Sequence, residues 1–186
     1  MDAVTIYTDG SANNITGSGG WCAIIHKGST MIEISGFVES TTSNRMELQA
    51  AIEGLRLFTV PHKVRLVSDS TYMIKTLRHK WYETWFEQKQ DHRPNLDQWR
   101  FLSTLVKFHD VDFVKVKGHS THYWNDRCDY LAGEARLNQI TSRNETNDFR
   151  LEEPCGIIFK DKQCKLFHGH LSDCYFSNRK QYRWDV

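Results

Sequence analysis

The chain lacks a large net charge, a paired-cysteine signature and any long apolar run, and each absence removes a class of protein. Its 24 Lys and Arg against 23 Asp and Glu leave a formal charge of +1. There is thus no global field, and a nucleic-acid partner would have to be held by a local basic patch. No stretch approaches the ~20 apolar residues of a membrane span. Met1-Asp2-Ala3 leads straight into a strand-like run without a charged-then-apolar leader. The expectation is a soluble protein with no membrane partner. The five cysteines are odd in number, scattered and without a C-x-x-C pair, which disfavours a disulfide framework and fits free thiols in a cytoplasmic setting. Repeats and low-complexity segments are absent, and nothing demands an obligate protein partner or more than a monomer. At 186 residues, 39% of them hydrophobic, the chain can bury one substantial core but is short for two ordinary domains. One main domain with a small appendage is the natural division.

What is present begins with Tyr7-Thr8-Asp9-Gly10-Ser11. Val4, Ile6 and Thr8 alternate with Thr5, Tyr7 and Asp9 at the period of a strand, and Gly10-Ser11 should break it, leaving Asp9 at a strand end. After a polar, glycine-rich loop, Trp21 to His26 and Met31 to Phe37 complete an antiparallel meander. The polar cluster Thr41-Thr42-Ser43-Asn44 offers several N-caps. From Met46 the period becomes helical, with Leu48, Ala51, Ile52, Leu55 and Phe58 on one face. Val64 to Asp69 reads as a fourth strand, parallel to the first because a helix joins them. Helical stretches follow over Thr71 to about Gln88 and Asp97 to about Phe108, then a strand over Val111 to Val116 and a helix from about Asn125. Trp81, Trp85, Phe86 and Trp99 lie at helical spacing, as core or as a grip on substrate. Residues 138–150 form a polar run without apolar period and read as a linker.

The acids give this framework its chemistry. Asp9 and Asp69 end two parallel strands, at the carboxyl edge where open α/β sheets place their sites. Glu47, in the first turn of the crossover helix, lies about 40° around from Ala51 and can point along the sheet. Asp129 lies in the first turn of the last helix. Carboxylates from four elements can thus converge, and such a cluster repels itself unless a cation neutralises it. Hard oxygen donors suit Mg²⁺ or Mn²⁺, and two such ions are a known solution for phosphodiester hydrolysis.

Thr8-Asp9-Gly10-Ser11, Asn44-Arg45-Met46-Glu47-Leu48, Ser68-Asp69-Ser70 and Val116-Lys117-Gly118-His119, followed by Asn125-Asp126-Arg127-Cys128-Asp129, together resemble the type 1 ribonuclease H family in identity, order and spacing. The resemblance covers residues 1–137. It implies an α/β, ribonuclease H-like fold, a five-stranded mixed sheet of order 3-2-1-4-5 flanked by helices. It further implies cleavage of the RNA strand of RNA–DNA hybrids by a two-metal-ion mechanism, giving 5′-phosphate and 3′-hydroxyl ends. Asp9, Glu47, Asp69 and Asp129 match the metal-binding carboxylates, and His119 matches a mobile histidine near the attacking water. Asn44 matches a minor-groove contact and Thr42 a DNA-phosphate contact. Ser43 stands where Asn is frequent and Thr71 where Gln is frequent, so these two contacts are shortened. Trp81 and Trp85 resemble the aromatic part of a basic protrusion. Here the following stretch, Glu87 to Pro94, carries as many acids as Lys and Arg together. The alternatives are a catalytically silent hybrid-binding module, which the full set of acids disfavours, and a related nuclease of the same fold acting on DNA, which the Val-Lys-Gly-His and Arg-Cys-Asp runs disfavour.

Residues 151–186 lie beyond the resemblance. Ile157-Ile158-Phe159 and Cys164-Lys165-Leu166-Phe167, separated by Lys160-Asp161-Lys162, read as a β-hairpin too small to stand alone. Zinc held by Cys155, Cys164, His168, His170 and Cys174 is one possible staple, although only Cys164-x₃-His168 has ligand-like spacing. Packing against the main domain is the other. Tyr175, Phe176, Arg179, Lys180, Tyr182, Arg183 and Trp184 would then form a basic-aromatic patch or an ordinary docked tail.

Overall fold

The computed structural model describes residues 4–118 and 122–146, together with the backbone of 158–159, 162–163, 173–176 and 180–183. The chain divides into two compact units, Met1–Asn147 and Asp148–Val186. The first holds a six-stranded sheet. Strand β1 (Val4–Ala12) pairs antiparallel with β2 (Gly19–Lys27), and β2 with β3 (Thr30–Val38). Helix α1 (Ser43–Arg56) then crosses over to β4 (Lys63–Ser68), which runs parallel to β1. Helices α2 (Thr71–Arg78), α3 (Trp81–Glu87) and α4 (Leu96–Phe108) lead to β5 (Asp110–Lys115), parallel to β4. Helix α5 (Tyr123–Asn138) and strand β6 (Ser142–Thr146) complete the unit. The sheet order β5-β4-β1-β2-β3-β6 is the expected order with one strand added at the β3 edge.

Burial explains the layering. Val4, Ile6, Val64 and Leu66 are buried in the sheet, and Met46, Leu48, Ala51, Ile52 and Leu55 of α1 close over them. Thr42 caps α1 from an extended conformation, its hydroxyl accepting the Arg45 N–H at 3.4 Å. Trp99 of α4 is fully buried, with Tyr82 stacked on it at 6.2 Å and Trp85 edge-on at 5.9 Å. The core role therefore falls to Trp99, whereas Trp81 is 46% exposed and stacks on His79. Among the described residues no helix is long and apolar enough to cross a membrane.

Several expected boundaries move. Strand β1 does not break at Gly10-Ser11 but continues to Ala12, paired Gly10↔Trp21 and Ser11↔Gly20 with β2. Asp9 is thus interior to its strand, just past the last parallel pair with β4, Thr8↔Ser68. Because α1 starts at Ser43 and α5 at Tyr123, Glu47 and Asp129 fall in the second turns of their helices, not the first. The helix expected over Thr71 to Gln88 is two helices, separated at Lys80, whose φ of 53° is left-handed. The break turns the chain so that Tyr82 meets Trp99, and no Gly or Pro marks it.

The segment expected as a linker ends α5 and supplies β6, which pairs antiparallel with β3 from Met31↔Thr146 to Ser35↔Ser142. Its side chains are nearly all exposed, so backbone pairing and not apolar alternation makes it a strand. In the second unit, Ile158–Phe159 (β7) pairs antiparallel with Lys162–Gln163 (β8), so the returning strand lies earlier in the chain than the expected Cys164 to Phe167. Asp173–Phe176 (β9) pairs with Lys180–Arg183 (β10). The side chains of the proposed zinc ligands and of the basic-aromatic patch, and any packing on the main domain, lie outside what is described.

Strand β6 makes a testable demand on where the chain can be cut. Ending it after Gln139 uncovers the β3 edge and is expected to lower unfolding stability by about 1–3 kcal/mol relative to a chain ending at Asn147. Denaturant midpoints compared at equal m-value check this.

Candidate active site

The described elements bring three of the four acids into one cluster. Ligand oxygens of Asp9, Glu47 and Asp69 all lie within 4.8 Å of one another. Each arrives by a different local device. Asp9 is buried, and its Oδ1 accepts the Gly10 N–H at 2.7 Å. Asp69 sits between the end of β4 and the cap of α2. There the Ser70 hydroxyl accepts the Met73 N–H at 3.3 Å and the Ser70 N–H donates to Ser68 Oγ at 3.0 Å.

Glu47 owes its place to a glycine. A Cβ on Gly10 would overlap the Glu47 nitrogen and the Met46 carbonyl carbon, so α1 can lie this close to β1 only because Gly10 has no side chain. The sequence marks Gly10 merely as a turn-former, yet its function is close approach. Gly118 acts similarly. A Cβ there would overlap Asp69 Oδ2, so the backbone entering the loop after β5 rests against the acid cluster. Both are functional positions that spacing alone did not single out, although each glycine adjoins a candidate site residue.

Asp129 is not part of the cluster within 4.8 Å, but its charge is felt there. Burial, then the charges of Asp9 and Asp69, and further that of Asp129, push the Glu47 carboxyl well above its ordinary range. Glu47 Oε2 is buried with no hydrogen-bond partner. An orphaned carboxylate oxygen amid like charges is a donor set suited to a hard divalent cation. Helix α5 brings Asp129 in by close packing. A Cβ on Gly20 of β2 would overlap the Ala132 carbonyl, and the Cys128 thiol donates to the Tyr7 carbonyl at 3.2 Å.

The remaining candidates divide. Thr42, Ser43 and Asn44 are exposed at the start of α1, ahead of Glu47 in the chain, and Thr71 is exposed at the start of α2, just after Asp69. Thr42 Oγ1 is also the α1 cap. Trp81 is exposed, while Trp85 is half-buried against Trp99 with the Arg93 guanidinium 5.4 Å over its ring. His119 lies outside the described residues.

Residues 1–136 match the family model for RNase H. The chain belongs to the RNase H family. The ribonuclease H of Thermoanaerobacter sp. (strain X514) is 46% identical over 149 residues, covering 77% of this chain and 96% of that protein. That of Chlorobium phaeobacteroides (strain BS1) is 43% identical over 140 residues, covering 73% and 96%. Among solved structures, LC9-RNase H1, a type 1 RNase H with the type 2 active-site motif, superimposes with a TM-score of 0.70 at 24% identity over 79% of this chain and 78% of that one. The N-terminal RNase H domain of a Mycobacterium tuberculosis protein gives 0.57 at 21%, over 72% and 98%. At those identities the structural likenesses establish the fold. The family match and the curated relatives make this chain a ribonuclease H, a hydrolase of the endonuclease type.

The raised Glu47 carboxyl has a pH consequence in the metal-free RNase H. An acid whose folded pKa is raised contributes stability below its unfolded value, about 4.3, and loses it as pH climbs toward the folded value. His26 acts oppositely: burial lowers it to about 4, so its contribution is lost as pH falls below ~6.5. The Glu47 contribution is therefore read as a difference. In chelator, Glu47→Gln is expected to melt above wild type by an amount that grows as pH climbs from ~4.5, at about 2–4 °C per kcal/mol relieved. Added Mg²⁺ should shrink or reverse the gap.

Proposed function

We propose that this ribonuclease H hydrolyses the RNA strand of RNA–DNA hybrids using two divalent ions, Mg²⁺ or Mn²⁺ in its place, and leaves 5′-phosphate and 3′-hydroxyl ends. The observation that carries this reading is the Asp9, Glu47 and Asp69 cluster with its orphaned Glu47 oxygen. Asp9, Glu47, Asp69 and Asp129 would hold the ions. When bound, such ions supply an activated water and stabilise charge on the departing oxygen. The chain's own part is to keep its carboxylates in fixed directions before the ions arrive. Burial and the neighbouring acids favour the protonated form of Glu47, so metal binding competes with that proton and metal affinity rises with pH.

His119 is assigned the role of moving a proton near the attacking water. In support, the residue before it, Gly118, abuts Asp69. Asn44, Ser43 and Thr42 at the start of α1 and Thr71 at the start of α2 would meet the wide, shallow minor groove of the hybrid, where short polar groups reach 2′-hydroxyls and phosphates. Trp81 and Trp85 would meet the other strand. With Glu87 and Asp91 offsetting Lys89 and Arg93 in the adjoining stretch, the salt dependence of binding should be shallow.

A labelled RNA–DNA hybrid, the matching RNA and DNA duplexes and a branched DNA, each incubated with Mg²⁺ or with chelator, test the reading. Only the hybrid with Mg²⁺ should be cut, in its RNA strand; cleavage of branched DNA instead would make this a DNA nuclease of the same fold. Asp9→Asn and Asp69→Asn should each lower the rate by at least about 10³-fold, the several kcal/mol that metal stabilisation supplies, while circular dichroism shows an intact fold. Full Mg²⁺-dependent activity in either would refute the metal assignment. His119→Ala should slow turnover by about 10²–10⁴-fold with hybrid affinity nearly unchanged, as measured by single-turnover kinetics beside a binding titration.

A further inference from the structure

Arg127 stands in the Asn-Asp-Arg-Cys-Asp run but takes no part in the site described above. Its guanidinium makes a bidentate pair with Glu33 of β3, Nε to Oε1 and Nη2 to Oε2, both at 2.9 Å. The Glu33 side chain is 8% exposed and that of Arg127 23%. Arg127 also lies 5.7 Å over the Tyr130 ring. A buried charge pair contributes little net stability compared with apolar packing, so its presence asks for another explanation.

The helix geometry supplies one. Successive residues of a helix are 100° apart, so Arg127 and Asp129 flank Cys128, whose thiol faces the sheet and donates to the Tyr7 carbonyl. Arg127 leans to the β3 side and Asp129 to the opposite side, toward the acids of β1 and β4. A roll of α5 by about 10° would move a side-chain tip ~5–6 Å from its axis by about 1 Å. Packing of α5 on β2 limits its distance from the sheet, and two parallel N–H···O bonds add a fixed distance and direction off its axis. We propose that the Arg127–Glu33 pair is a positioning element that sets the roll of α5 and so holds Asp129 at the metal site. This rests on the reading of Asp129 as a metal ligand.

The decisive variant is Glu33→Met with Arg127→Met, which replaces the pair by apolar groups of similar volume and leaves no buried charge behind. It is expected to melt in chelator at or near the wild-type temperature. Its kcat on the hybrid should nevertheless fall by about 10–100-fold, the loss that an ångström of misplacement brings, with KM almost unchanged. Mg²⁺ titrated calorimetrically into the apo protein should bind several-fold more weakly. Arg127→Lys, which keeps the charge but not the fork, should show the same losses to a smaller degree, and it decides the matter if the double variant does not fold. Wild-type kcat and Mg²⁺ affinity in the folded double variant, or in Arg127→Lys, would overturn the positioning role, because a purely structural pair is replaced once the melting temperature is restored. Asp129→Asn in the same assays separates the two levels. If it is inactive while the double variant is fully active, only the positioning inference falls; if it is fully active, the metal-site reading falls and takes this inference with it.

Discussion

Mutual repulsion among Asp9, Glu47 and Asp69 is the constraint around which this domain is built. Ligand oxygens within 4.8 Å of one another push apart with energies that water screens only in part, and Glu47 Oε2 is buried where the screening is least. Left to themselves the carboxylates would swing away or take up protons. The scaffold must therefore prevent motion in three separate elements at once, and it does so through the backbone more than through side-chain partners.

The devices are close contacts at positions without a Cβ. Gly10 lets the backbone of α1 touch β1 at Glu47, Gly118 lets the loop after β5 rest against Asp69, and Gly20 lets α5 sit on β2 at Ala132. Close packing of this kind stores positional accuracy, because a shift of a few tenths of an ångström at a backbone contact meets hard-sphere resistance. The parallel register of β1 and β4 supplies the rest, ending at Thr8↔Ser68 so that Asp9 and Asp69 project from adjacent strands at one level. Helix α5 is tied to the sheet by side-chain bonds, from the Cys128 thiol to the Tyr7 carbonyl and from Arg136 Nε to Ser11 Oγ at 3.2 Å, and by the buried Arg127–Glu33 ion pair. A rigid edge bearing uncompensated negative charge is what hard divalent cations require.

The six-stranded sheet shows where pattern and pairing part company. Strands β1 to β4 bury enough side chains to carry an apolar signature, and β5 half-buries Val111 and Phe113 against the core. Strand β6 faces solvent along nearly its whole length and is held by β3 through main-chain groups that every residue possesses. The left-handed Lys80 that divides α2 from α3 is silent in sequence for a related reason. It answers to the docking of Tyr82 on Trp99, a contact between residues distant along the chain.

By itself the sequence determined the crossover that makes β1 and β4 parallel, the face of α1 that meets the sheet, and the motifs that carry the acids, and through its resemblance to the ribonuclease H family it implied the five-strand order. These follow from periodicity and from short motifs whose meaning is local. Tertiary structure alone decided that Asp9 lies within its strand and not at its end, because the continuation to Ala12 depends on a β2 partner. It alone decided that Glu47 and Asp129 occupy second turns, since the helix starts are set by cap and loop geometry. Above all, it alone showed that Gly10 and Gly118 are spacers at the acids and that Arg127 finds Glu33 across 94 residues of chain. Close approach and ion pairing are properties of two surfaces meeting, and a one-dimensional string records only one surface at a time.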